Sequence, residues 1–257
     1  MSASAAPRVA IVTGVSRRIG IGAAIARRLA ATGTSLFLHS WEPHDADQPW
    51  GADSNGAELL VEELTATGAR VEHAAADFSE PTAPASILNQ AVGVFGHIDI
   101  LVANHARSSR QNLDQLTCEE IDLSYAVNTR ASMLLVKEFA RQHSGVTPGR
   151  VILMTSGQHR GPIPDELPYI ASKGALHQLT ISLAAHLAPR NITVNTIDPG
   201  ATDTGYADDQ LRREVIAHEP MGRWGEPDDA ARLVSWLTGP DASWVTGQVI
   251  VSSGGGP

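Results

Sequence analysis

The chain has 257 residues, 42% of them hydrophobic and 18% charged, with a formal net charge of −9. That balance suits a folded chain with a full core and excludes a disordered one. The acidity, with no basic run, argues against nucleic acid or an anionic membrane as partner, and no apolar stretch approaches the roughly 18 residues of a membrane span.

Short β-rich runs alternate with helical patterns. Arg8–Val12 reads as a strand, followed by a helix over Gly22–Ala31 in which Ile25 and Leu29 recur four apart. Ser35–Ser40 is the next strand, Ala57–Thr67 the next helix and Arg70–Ala75 the third strand. A helix over Ile87–Phe95 leads to a strand at Ile98–Ala103, then to a long helix around Asp122–Gln142. Arg150–Thr155, Tyr169–Leu187, Thr193–Ile197, Pro227–Leu237 and Gln248–Val251 continue the alternation. Strands joined by helices make right-handed crossovers and a parallel sheet. The expected fold class is α/β: a Rossmann-type doubly wound sandwich with about seven parallel strands and helices on both faces. With no linker or composition break, residues 1–257 read as one domain.

Two stretches break the rhythm. Trp41–Asn55, rich in Pro, Asp and Gly, is long for a connection between strand and helix. Gly205–Glu219 follows Pro199-Gly200 at a strand end, where such sheets bind ligands, and reads either as a substrate lid or as a surface helix.

The first strand runs into Thr13-Gly14-Val15-Ser16-Arg17-Arg18-Ile19-Gly20-Ile21-Gly22, which opens the first helix. Glycines there allow a tight turn and a close backbone approach to a pyrophosphate, and the helix N-terminus adds free N–H groups and positive potential. A dinucleotide is the expected ligand. The second strand ends at Ser40, where an acidic residue would favour NAD, and Arg17 and Arg18 can meet a 2′-phosphate. NADP(H) is therefore favoured over NAD(H), with Glu42 as the dissenting residue.

Tyr169 and Lys173 stand four apart, so one helix face presents both, and Ser156 lies thirteen residues before the tyrosine. An ammonium beside a phenol is expected to draw its pKa down from about 10, which suits proton transfer, with Ser156 holding the oxygen that receives the proton. His159, Asp165 and Glu166 lie between them and form either a wall of a substrate pocket or a solvated loop. Cys118 cannot form an internal disulfide; it is a helix-start spacer or a reactive thiol. His39, His44 and His73 form no metal-ligand pattern, and no metal is expected. Met1–Arg8 carries no hydrophobic signal core, so cytoplasmic residence is the expectation.

Over essentially its whole length the sequence resembles the short-chain dehydrogenase/reductase family. Gly14 to Gly22 is similar to its cofactor turn, Val102-Ala103-Asn104-His105-Ala106 to the stretch closing its fourth strand, and Pro199-Gly200-Ala201-Thr202 to its nicotinamide loop. Asn128, Ser156, Tyr169 and Lys173 match its catalytic tetrad in order and spacing. Gly222–Pro227 and Trp244–Gln248 resemble signatures of the 3-oxoacyl carrier-protein reductase branch. The resemblance implies hydride transfer between a nicotinamide and a ketone or secondary alcohol, with Tyr169 as acid/base, Lys173 on the nicotinamide ribose and Asn128 anchoring a water. It implies cofactor contacts from Gly14, Ser16, Arg17, Arg18, Gly20, Ile21, Ser40, Asp77, Phe78, Asn104, Pro199, Gly200, Thr202 and Thr204.

The sequence also departs from the family. The turn is two residues longer, His105-Ala106 stands where Ala-Gly is usual, and Ser253 stands where an aspartate is usual. The resemblance further implies a homotetramer or homodimer, for which Trp244–Val251 is an interface candidate. Its substrate is a small carbonyl or alcohol, possible alternatives being an acyl carrier-protein or CoA thioester, for which Arg130, Lys137 and Arg141 offer a basic patch. A ketoreductase of specialised metabolites is the alternative within the same enzyme class, and a catalytically inactive cofactor-binding regulator or scaffold is the competing class.

Overall fold

The computed structural model describes residues 7–256, so the signal-sequence reading of Met1–Arg8 lies almost wholly outside the described residues. Strands β1 (Val9–Thr13), β2 (Ser35–Ser40), β3 (Val71–Ala75), β4 (Ile100–Ala103), β5 (Gly149–Met154), β6 (Ile192–Asp198) and β7 (Val249–Val251) form one sheet in the order β3-β2-β1-β4-β5-β6-β7. Every pairing is parallel. β1, β2, β4, β5 and β6 are buried throughout; β1 and β4 read as near-continuous apolar runs, whereas β6 also buries Thr193, Asn195, Thr196 and Asp198.

One face carries α1 (Ile21–Ala31), α3 (Gly56–Ala66) and α9 (Pro227–Thr238), whose Ile25, Leu60 and Val234 pack on Val12, Leu38 and Ile152. The other carries α4 (Ala83–Phe95), α6 (Ala131–Gln142) and α7 (Leu167–Leu187), whose Leu88, Phe139 and Leu176 pack on Ile11, Leu101 and Val151. The chain leaves β1 toward β2 on one side and passes from β3 to β4 on the other. That reversal opens a crevice at the carboxyl ends of β1 and β4.

Three elements refine the sequence reading. Trp41–Asn55 contains a short helix, α2 (Glu42–Ala46), with Pro43 in its first turn. The long helix expected over Asp122–Gln142 is three pieces: α5 (Cys118–Ser124), a π-helical turn at Tyr125–Arg130, and α6. Cys118 opens α5 behind Thr117, whose hydroxyl caps the Glu120 N–H at 3.2 Å. Within Gly205–Glu219 lies a ten-residue helix, α8 (Asp209–His218).

Candidate active site

The crevice between β1 and β4 holds a cavity of about 450 Å³. Its floor is a polar network that leaves few groups unpaired. The Thr13 hydroxyl accepts the N–H groups of Asn104 (3.0 Å) and His105 (3.2 Å) and lies 2.7 Å from His105 Nδ1. His105 Nε2 lies 3.0 Å from the Val127 carbonyl, which can only accept, so the ring proton is on Nε2 and Thr13 donates to Nδ1. By the same logic His39 donates from Nε2 to the Ala76 carbonyl (2.9 Å), leaving Nδ1 to accept the Gly14 N–H at 3.4 Å. Phe78 stacks on His39 with centroids 3.9 Å apart and meets His105 edge-on at 4.6 Å. Burial, first of all, pushes His39 down to about 4 and His105 well below the ordinary histidine value, so both rings are neutral.

Gly14 bends at φ +74°, and a Cβ there would lie 2.7 Å from His105 Cα. Asn104 Nδ2 ties the turn down, donating to the Thr13 and Gly14 carbonyls at 3.0 Å each. α1 starts at Gly20 with no side-chain cap and no acidic residue in its first turn. A turn that only glycine fits, opening onto uncapped N–H groups, suits a phosphate. A bound dinucleotide fits these residues.

Gly14, Ser16, Arg17, Gly20, Ile21, Asp77, Phe78, Asn104 and Thr204 all line the cavity. Five expected contacts do not: Arg18, Ser40 and three residues of the loop beyond β6. Arg18 turns away to Asp53, its N–H and Nε at 3.0 and 3.3 Å from Oδ2. Ser40 still belongs to the ladder of β2, so its side chain points to the opposite face from His39 and bonds His73 Nε2 at 2.8 Å. The first residue free to face the cavity is Trp41, which sequence reasoning missed. Ser16 fastens it, its hydroxyl accepting the Trp41 N–H at 3.1 Å.

Pro199, Gly200 and Thr202 shape the loop beyond β6 and do not line the cavity. The Thr202 hydroxyl bonds the Pro199 carbonyl at 3.1 Å, and Gly200, at φ +65°, packs on Ser253. Arg160 holds this corner: it pairs with Asp198, bonds the Ser253 hydroxyl at 3.1 Å and donates to the Gly256 carbonyl.

The reacting candidates meet. Ser156 follows β5 on extended backbone, and its side chain stands close enough to Tyr169, in the first turn of α7, to favour the phenolate. Lys173, one turn on and 2% exposed, sits with Nζ 6.0 Å from the centre of the Tyr169 ring. Its ammonium donates to the Met154 carbonyl at 3.1 Å and, longer, to that of His105 at 3.5 Å. Burial lowers Lys173 to about 8. The expectation that Lys173 would make the phenol more acidic is overturned. Burial and then the Glu166 carboxylate raise Tyr169 to about 12, against the opposing influence of Ser156.

Asn128 lies close behind the site. Its side chain, fully buried, is committed to protein: Oδ1 accepts the Arg107 N–H at 2.7 Å, and Nδ2 donates to the Arg107 carbonyl and the Ser172 hydroxyl at 3.0 and 2.9 Å. It clamps the loop after β4 to α7. Tyr206, which the sequence reading passed over, stands with its ring edge-on to Trp50 (6.1 Å) and Trp224 (5.7 Å). Burial and the Glu166 charge raise its hydroxyl, while Arg110 opposes. No group of ligating side chains arranged for a metal ion occurs among the described residues.

A family model described as Enoyl-(Acyl carrier protein) reductase matches residues 14–256. The uncharacterized oxidoreductase YjdA of Bacillus subtilis is 40% identical over 250 residues, covering 96% of each chain. The hydroxynaphthalene reductase-like protein Arp2 of Metarhizium brunneum is 33% identical over 272 residues, covering 98% of this chain and 96% of its own. A short-chain dehydrogenase from Burkholderia cenocepacia, solved in complex with NADP, superposes with a TM-score of 0.86 at 34% identity, covering 96% of this chain and 97% of its own. With the seven-stranded parallel sheet and the glycine turn on its crevice, these likenesses make the chain an oxidoreductase of the short-chain dehydrogenase/reductase family.

Proposed function

We propose that this protein interconverts a ketone and a secondary alcohol with NADP(H). The observation that supports this most is that Tyr169 and Lys173 share one turn of α7, with Lys173 Nζ 6.0 Å from the centre of the phenol ring and Ser156 beside it. A bound nicotinamide supplies the hydride or takes it up. Tyr169, whose pKa stands near 12, is a protonated phenol at neutral pH and donates its proton to the carbonyl oxygen during reduction. The Ser156 hydroxyl holds that same oxygen. Lys173 has three N–H donors, and two are spent on the Met154 and His105 carbonyls. The third remains for a ribose hydroxyl. Asn128 acts as a positioning residue, fixing the Arg107 backbone over α7.

NADP is favoured by Arg17, which lines the cavity and lies 5.9 Å from the Trp50 ring centre. The NADP complex of the Burkholderia relative points the same way. A free small ketone fits better than a carrier-bound thioester. Arg141 is paired with Glu138 and Arg130 is tied by its guanidinium to the Ser79 carbonyl, so the supposed basic patch is partly neutralised and partly pinned. An inactive scaffold role is disfavoured by the assembled Ser156, Tyr169 and Lys173. The reading includes a single domain with a lid over residues 205–219 and residence in the cytoplasm. It also includes a homotetramer, supported by Trp244, which is 97% exposed, and by the apolar surface of Ile181 and Met133.

The test is Tyr169→Phe assayed for NADPH oxidation against a panel of ketones. Turnover falls by about 10²–10⁴ while NADPH still binds. Near wild-type turnover with normal binding sinks the proposal.

A further inference from the structure

The segment Trp41–Asn55 crosses the cavity as a strap. It is tied to the glycine turn through Trp41 and Ser16, to the lid through Trp50 and Tyr206, and to the loop after β4 through His44. This last bond determines the chemistry of His44. The Ser108 backbone N–H lies 3.2 Å from His44 Nε2 and can only donate, so Nε2 is the acceptor and the neutral ring carries its proton on Nδ1. That Nδ1–H is buried and has no partner among the described residues. His44 also lines the cavity, together with Gly14, Arg17 and Phe78.

A buried donor held in place by a bond on its other nitrogen, and left unpaired, is a ligand-binding group waiting for an acceptor. From the geometry we infer that His44 donates from Nδ1 to a phosphate oxygen in the adenosine diphosphate half of the cofactor. The uncapped start of α1 offers backbone N–H groups at the glycine turn. The strap adds a side-chain donor, and anchors it to β4 through Ser108. Burial and the nearby Arg107 keep the ring neutral, while Asp45, Glu120 and Asp47 oppose them. Protonation is not needed: the neutral ring already has the required N–H. This assignment rests on the dinucleotide reading above and adds to it a contact from outside the glycine turn.

The test is calorimetric titration of the full chain with NADPH and with ADP-ribose. His44→Gln keeps an acceptor for the Ser108 N–H and removes the donor at the Nδ1 position. His44→Asn keeps a donor near Nδ1 and removes the acceptor. For His44→Gln, binding of both ligands weakens about 10-fold, the range expected for one hydrogen bond to a charged group. Unchanged hydrogen-exchange protection of residues 41–55 in the ligand-free variant shows that the strap is still in place. Wild-type affinity in His44→Gln overturns the assignment. So does a loss confined to His44→Asn, which would make His44 only a latch. If the wild-type chain binds neither ligand, the dinucleotide reading itself fails.

Discussion

Arg160 Nε lies 3.0 Å from Asp198 Oδ2, and the same guanidinium holds the Ser253 hydroxyl and the Gly256 carbonyl. Asp198 is 1% exposed, and its Oδ1 accepts the Gly200 N–H at 2.9 Å. One pair thus joins the end of β5, the end of β6 and the C-terminal segment. Arg160→Met leaves Asp198 buried without its cation. Breaking such a pair costs about 3–5 kcal/mol, and denaturant unfolding of the variant is expected to show a loss of that order.

Lys173 gives a pH signature. Its pKa of about 8 in the fold lies below the unfolded value near 10.4, so between these values the unfolded chain binds more protons. Stability therefore rises with pH from about 8 toward 10, by roughly 2–3 kcal/mol. Above 10 the raised Tyr169 acts in the opposite sense, because the unfolded tyrosine ionises first. The rise is measured as the difference between wild type and Lys173→Met in unfolding curves taken from pH 7.5 to 10, and the variant lacks it.

The two floor histidines govern the acid side. Their pKa values are lowered in the fold, so the stability they preserve is complete above about 6.5 and is lost as pH falls toward His39's value near 4. His39 alone accounts for about 3 kcal/mol over that interval. Nitrogen-detected NMR at pH 5.5 is expected to show both rings neutral, each protonated on Nε2. A charged His39 at that pH would refute the floor network as drawn.

Gly22 packs against the Gly14 carbonyl and Asn104 Nδ2 so closely that a Cβ has no room. Gly22→Ala forces the turn apart. NADPH affinity is expected to fall more than 100-fold, and overpacking of this kind also costs about 1–3 kcal/mol of stability. Titration calorimetry and thermal melting read the two effects separately.

The parts of this architecture that depend on periodicity and spacing were legible in the sequence. The seven strands follow from apolar runs, the glycine turn from its place between β1 and α1, and the meeting of Tyr169 with Lys173 from one helical turn. What was not legible depends on side-chain direction and on distant partners. Ser40 lost its expected role because, as the last paired residue of β2, it alternates away from His39 and turns its hydroxyl to His73. Arg18 pairs with Asp53, thirty-five positions away, which no local pattern foretells. His105 was noted as a departure, yet its bonds to Thr13 and Val127 emerge only when β1, β4 and the π turn are brought together. The raised Tyr169 pKa reflects burial, which spacing cannot report.

The wide turn at Tyr125–Arg130 ties the chemistry to the phase of a helix. It offers the Val127 carbonyl to His105, and Asn128 within it clamps Arg107. Removing one residue there would rotate everything downstream by about 100°. Leu135, Val136 and Phe139 would swing off the sheet just as Asn128 left its clamp. Insertions and deletions in this six-residue window are therefore expected to abolish folding and turnover together, whereas the exposed tip at Val146 has room for added length.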